Sequence, residues 1–177
     1  EKDTIFLYWS GHGFRGDDGE SYFAVPNTPH PEFGEPGRTQ NLAISSRALI
    51  EVALSFGFGR IVLIIDACHS TGAYFENFHE AFSAELATHT MEPSVVLFGS
   101  SRSREASLEI GEGVFTRSLI DSIQDRSRTD TDQDGVLSLE EVYNQVKFRT
   151  LSRVRRVNRI QTPIVKRFNF FGDFIFI

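Results

Sequence analysis

Three short apolar runs set the limits on what this chain can fold into: Ile5-Phe6-Leu7-Tyr8, Ile61-Val62-Leu63-Ile64-Ile65 and Val95-Val96-Leu97-Phe98. Each is rich in β-branched or large residues and closes on a glycine or a polar turn. Such runs read as strands buried on both faces of a parallel sheet. A helical pattern lies before the second run, with Ser45 as N-cap, a buried stripe of Ala48, Leu49, Val52 and Ala53, and Gly57 as stop. Strands alternating with helices predict one α/β domain over residues 1–177, with helices on both faces of a mainly parallel sheet.

The remaining elements are lighter. Residues 22–25 read as a short strand closed by Pro26, and 26–41, with four prolines and two glycines, as a surface loop. Residues 72–92 read as a loop and a short helix, 114–124 as an amphipathic helix, and the segment after an acidic loop at 130–141 as a helix to about 152. Pro163 is read as a break before a last strand, 168–177. The chain starts almost directly on its first apolar run, so one sheet edge is expected to lack the strands that usually cover it. That makes a fragment, a processed product or half of a complex the expectation.

Composition narrows the classes. At 177 residues the chain is long enough for a real core, and its seventeen phenylalanines are expected to fill it. No apolar run approaches the roughly 20 residues of a membrane span. The single cysteine rules out an intrachain disulfide, which points to a reducing, cytoplasmic setting and leaves a free thiol to explain. A net charge of −6 argues against general nucleic-acid binding. Lys147, Arg149, Arg153, Arg155, Arg156, Arg159, Lys166 and Arg167 nevertheless form an acid-free block. It reads as a solvated helix end and loop rather than an RNA or DNA surface.

Two of the apolar runs lead straight into motifs that carry chemistry. The first ends in Trp9-Ser10-Gly11-His12-Gly13 and the second in Asp66-Ala67-Cys68-His69-Ser70. Functional groups in open α/β sheets collect at the carboxyl ends of strands, so His12 and Cys68 are expected on one edge. A cysteine attacks only as thiolate, and a neighbouring imidazole generates it near neutral pH. The glycines beside His12 allow close approach of a bound peptide backbone, and the amides of Gly13 and Cys68 can hold an oxyanion. An inert buried thiol is the plain alternative. His69 points away from the thiol by alternation, and a zinc site from His12, Cys68 and His69 lacks a fourth ligand.

The pair of motifs resembles those of the caspase-like cysteine peptidases, and more closely the bacterial metacaspase or orthocaspase branch than the animal caspases. Phe98-Gly99-Ser100-Ser101, Glu105-Ala106-Ser107-Leu108-Glu109 and Gly113-Val114-Phe115-Thr116-Arg117-Ser118-Leu119 resemble the second half of that domain. The spacing agrees: Cys68 follows His12 by 56 residues, near the caspase interval. The resemblance begins at the histidine strand, without the family's earlier strands. It implies a caspase–haemoglobinase fold, a His12–Cys68 dyad, a backbone carbonyl orienting His12, and an enzyme held inactive until processed or joined by a partner. Arg38, or a site ahead of Glu1, is a candidate for processing.

Animal caspases carry Gln two residues before the cysteine; here the residue is Asp66, as in metacaspases. An acid on the floor of a specificity pocket repels acidic side chains and pairs with Arg or Lys, bidentately for Arg. Cleavage after Arg or Lys is therefore expected, with Asp18 or Glu20 assisting. The alternative for Asp66 is a purely structural hydrogen bond to backbone at the strand end.

A second motif spans Asp130 to Glu141 and fits the EF-hand calcium loop, with Asp130, Asp132 and Asp134, the Val136 carbonyl, Ser138 and Glu141 as ligands and Gly135 at the sharp turn. EF-hands usually act in pairs and only one is here. The competing reading is an acidic turn whose Asp and Ser residues cap the following helix. No organic cofactor is expected. The first functional reading is a cysteine endopeptidase acting on protein or peptide substrates, with an activating partner or N-terminal fragment. The second is a non-catalytic caspase-fold module, calcium-responsive or scaffolding.

Overall fold

A computed structural model describes residues 3–16, 18, 21–28, 42–67, 94–102, 105, 107–108, 113–169 and 175–176. Its central sheet has the order β1-β5-β6-β8, formed by β1 (Thr4–Gly11), β5 (Arg60–Ala67), β6 (Ser94–Gly99) and β8 (Ile164–Phe168). The first three strands are parallel and β8 is antiparallel. The mainly parallel sheet with helices on both faces thus matches the sequence pattern. A second sheet, β2-β3-β4, is antiparallel and joins Gly13–Arg15, Ser21–Ala24 and Ala43–Ser45.

Side-chain alternation along β5 decides the layers. Ile61, Leu63, Ile65 and Ala67 face one way, into a cluster with Phe23, Ala53, Leu54, Val95 and Leu97. That side is covered by α1 (Ser46–Ser55). Val62 and Ile64 face the other way, with Val96, Phe98, Phe115, Leu119 and Val142, under α2 (Val114–Gln124) and α4 (Leu139–Arg155). Asp66 has the parity of Val62 and Ile64, so it emerges on the α2 side. On β1, Tyr8 and Ser10 share that parity while Trp9 packs with the first cluster.

Local signals account for most boundaries. Ser45 caps α1, its hydroxyl accepting from Ala48 N–H at 3.0 Å, and Gly57 leaves the helix at φ +68°. The buried stripe is rotated from expectation: Ala53 and Leu54 are buried, whereas Val52 is 49% exposed. In α2, Ser118 and Ser122 are buried and return their hydroxyls to the carbonyls of Val114 and Ser118. These small residues face α4, where Arg153 reaches Ser118 Oγ at 2.7 Å and also pairs with Asp121. Arg149 bonds Asp125 at 2.7 Å, and α3 (Arg126–Thr129) packs between.

The expected final strand at 168–177 is corrected to two pieces. Strand β8 starts directly after Pro163, and β9 (Ile175–Phe176) pairs instead with β7 (Leu137–Ser138). Proline holds its predecessor extended and is tolerated next to an edge strand, so it opens β8 rather than separating it. The exposed Lys166 and Arg167 then lie on the strand that ends the sheet order among the described residues, where charge discourages pairing with other chains. Arg167 also pairs with Glu140 at 2.5 Å. With Arg149 and Arg153 engaged as above, part of the basic block is spent inside the fold.

Candidate active site

The register brings the two motifs together. Parallel pairing sets Ser10 opposite Asp66 and Gly11 opposite Ala67, so both strands end at the same level. Ser10, Gly11, His12, Asp66, Ala67, Ser107 and Gly113 line one cleft of about 250 Å³. His12 is exposed at its mouth, and its carbonyl accepts from Ala24 N–H at 2.9 Å, which ties the turn to β3. Gly13 opens β2, paired with Phe23. The end of β5 is fixed by Ser100, whose N–H donates to Ile65 O at 2.9 Å and whose hydroxyl reaches Ala67 O at 3.3 Å. Cys68, the next residue, lies outside the described residues, as do Glu20, Arg38 and His69.

Asp66 is 6% exposed and accepts three hydrogen bonds. Ser107 Oγ donates to Oδ1 at 2.5 Å. Thr116 donates to Oδ2 through both its backbone N–H at 3.2 Å and its hydroxyl at 2.5 Å. The N-cap of α2 is Gly113, which has no side chain to offer. Asp66 therefore supplies, from 50 residues away, the carboxylate that the helix start lacks. The structural role considered for Asp66 is thus present, and it coexists with a place on the cleft wall. Behind Ser107, the fully buried Gln161 donates to Ser107 Oγ at 3.2 Å and to Ser100 O at 3.1 Å, and accepts from Leu108 N–H.

Ser107, Gly113, Thr116 and Gln161 were not recognisable as site residues from the sequence. The one usable signal was local: an amphipathic helix opening on Gly113 without a capping side chain requires a cap from elsewhere. Asp18 accepts from the Tyr22 hydroxyl at 2.7 Å and is not among the described lining residues.

The acidic loop caps the helix that follows it, as the capping reading has it. The carboxylates of Asp130, Asp132 and Asp134 gather within 4.8 Å of one another. Gly135 turns at φ +86° and its N–H donates to Asp130 Oδ2, while Asp130 Oδ1 is buried without a hydrogen-bond partner. Ser138 and Glu141 form a capping box on α4. Burial opposes ionisation of Glu141. The N–H groups of Ser138 and Thr131, and then their hydroxyls, outweigh it and lower the pKa to about 2. Among the described residues no helix is long and apolar enough to cross a membrane.

Comparison with known proteins agrees with this architecture. No curated protein matches the sequence significantly. The crystal structure of protein GSU0716 from Geobacter sulfurreducens is similar in fold, with a TM-score of 0.53 at 13% identity, covering 94% of this chain. The chain spans 66% of that structure's length. A family model, the caspase domain of the C14 peptidases, matches residues 1–175. With that match over nearly its whole length, the chain belongs to the caspase-domain family of cysteine peptidases.

Proposed function

We propose that this chain is the catalytic domain of a cysteine endopeptidase that cuts after Arg or Lys. The observation that carries the proposal is the cleft that Asp66 lines with Ser10 and His12, two residues before Cys68 in the chain. His12 takes the thiol proton and the Cys68 thiolate attacks the scissile carbonyl. The amides of Gly13 and Cys68 receive the oxyanion, and the leaving amine takes the proton from His12. Water then hydrolyses the thioester, returning the thiol. Asp66 favours a cationic side chain ahead of the cut by charge. Processing or a partner releases this activity. A thiol-directed peptide inhibitor ending in Arg tests the assignment by mass spectrometry. Labelling at Cys68, lost in His12→Ala, supports it, and equal labelling by an Asp-ended inhibitor overturns the specificity.

We further propose that the 130–141 loop binds calcium. The donor set fits: three convergent carboxylates, one with a buried oxygen lacking a partner, on an EF-hand spacing. Asp130, Asp132, Asp134 and the Val136 carbonyl would hold the ion, which would supply a cross-link between α3 and α4 and no step of peptide hydrolysis. Ser138 and Glu141 are engaged in the helix cap, so the affinity is expected at the weak end for such loops, about 10⁻⁴–10⁻³ M. Titration calorimetry with calcium chloride checks this. No heat at millimolar calcium, or heat unchanged in Asp132→Asn, contradicts it.

A further inference from the structure

The two oxygens of Asp66 are not equivalent. A carboxylate oxygen offers about two in-plane acceptor sites. Oδ2 receives two donors from Thr116, and Gly113 stands against it so closely that a Cβ there would lie 3.0 Å away. Among the described residues Oδ1 receives a single donor, the hydroxyl of Ser107, itself a cleft-lining residue. Proton bookkeeping fixes these directions. A hydroxyl has one proton to give, and with Asp66 ionised, Thr116 gives its own to Oδ2. The Tyr8 hydroxyl, 2.6 Å from Thr116 Oγ1, must then donate to Thr116. By the same rule Gln161 donates to Ser107, in the direction that the amide geometry gives. Two relays, Tyr8 to Thr116 and Gln161 to Ser107, thus converge on one carboxylate, one at each oxygen.

We infer that Thr116 is a specificity-determining residue that leaves Asp66 a single open acceptor, on Oδ1, for a substrate cation. The inference rests on the basic-residue reading above and revises the bidentate pairing with Arg expected from the sequence. A fork of two parallel N–H groups needs both oxygens free. One open acceptor takes an ammonium or one guanidinium N–H equally well, so at Asp66 the pocket selects positive charge and does not distinguish Lys from Arg. Thr116 is a positioning residue in this scheme: it acts through Asp66 and not on the reacting atoms.

Paired fluorogenic peptides that differ only in a terminal Arg or Lys test this, read as the ratio of their kcat/KM values in the full chain. Thr116→Ala removes the hydroxyl and the bulk that fills its place and keeps the backbone N–H. It frees one acceptor site on Oδ2 that only a guanidinium can use together with Oδ1. The Arg-to-Lys ratio is expected to rise about fivefold or more, the worth of one charge-assisted hydrogen bond. Thr116→Ser, which restores the hydroxyl, is expected to return the ratio to that of wild type. A loss of both activities in parallel, with the ratio unchanged, assigns Thr116 a structural role only and overturns the inference while sparing the basic-residue reading. Wild type that turns over neither peptide, or prefers an Asp-ended one, overturns that reading and this inference with it.

Discussion

Asp66 shows how one residue can hold a helix start and stand on a cleft wall at once. Its carboxylate caps a helix that begins without a capping side chain, and the same group lies on the wall of the cleft beside His12. Replacing it by alanine leaves the Thr116 N–H and two hydroxyls in a nearly closed site without an acceptor. Such orphaned donors cost about 1–3 kcal/mol. Asp66→Ala is therefore expected to lower unfolding stability by about 2 kcal/mol in urea titration, besides abolishing any preference for basic peptides. Stability unchanged from wild type would remove the capping role. From the sequence, Asp66 could be placed at a strand end and its charge weighed. Its partners could not be found, because Ser107 and Thr116 lie 41 and 50 residues away in the chain and meet it only through tertiary packing.

At the scale of elements, the loop and helix from Asp130 to Arg155 are held by the capping box. Ser138→Ala is expected to cost about 1 kcal/mol, the usual value of an N-cap hydroxyl, measurable by thermal or denaturant unfolding. Glu141 adds a pH dependence whose sign follows from its depressed pKa. Its contribution is present above the unfolded value, 4.5, and is lost as pH falls toward about 2. Asp121 and Asp125 shift in the same direction: burial opposes the shift at Asp121, where bonds to Arg153 and Arg117 prevail, and the hydrogen bond from Arg149 leads at Asp125. Acid unfolding followed by circular dichroism should therefore steepen below pH 4.5, and Glu141→Gln should flatten part of that slope. A slope identical to wild type would contradict the assignment. The cap was legible here, because its signal is local. What the sequence did not reveal was the assignment of β8 and β9, since the pairing of β9 with β7 joins residues 37 and 39 apart along the chain.

At the scale of the whole molecule, the parallel sheet explains why the strand ends that lead into two distant motifs meet. Apolar runs bounded by polar turns fixed the strands, and in-register pairing of β1 with β5 carried their ends to one edge. The meeting of Ser10 and Gly11 with Asp66 and Ala67 was readable from the sequence, since it follows from the β-strand pattern and the rule for strand ends. The small β2-β3-β4 sheet, which ties down the histidine turn through the bond from Ala24 to His12, had no comparable signature because two of its strands are only three residues long. The most direct measurement is hydrolysis of fluorogenic peptides ending in Arg and in Asp by wild type, Cys68→Ala and His12→Ala. The expected result is turnover of the Arg peptide alone, lost in both variants. Cleavage that survives Cys68→Ala, or that prefers the Asp peptide, would contradict it.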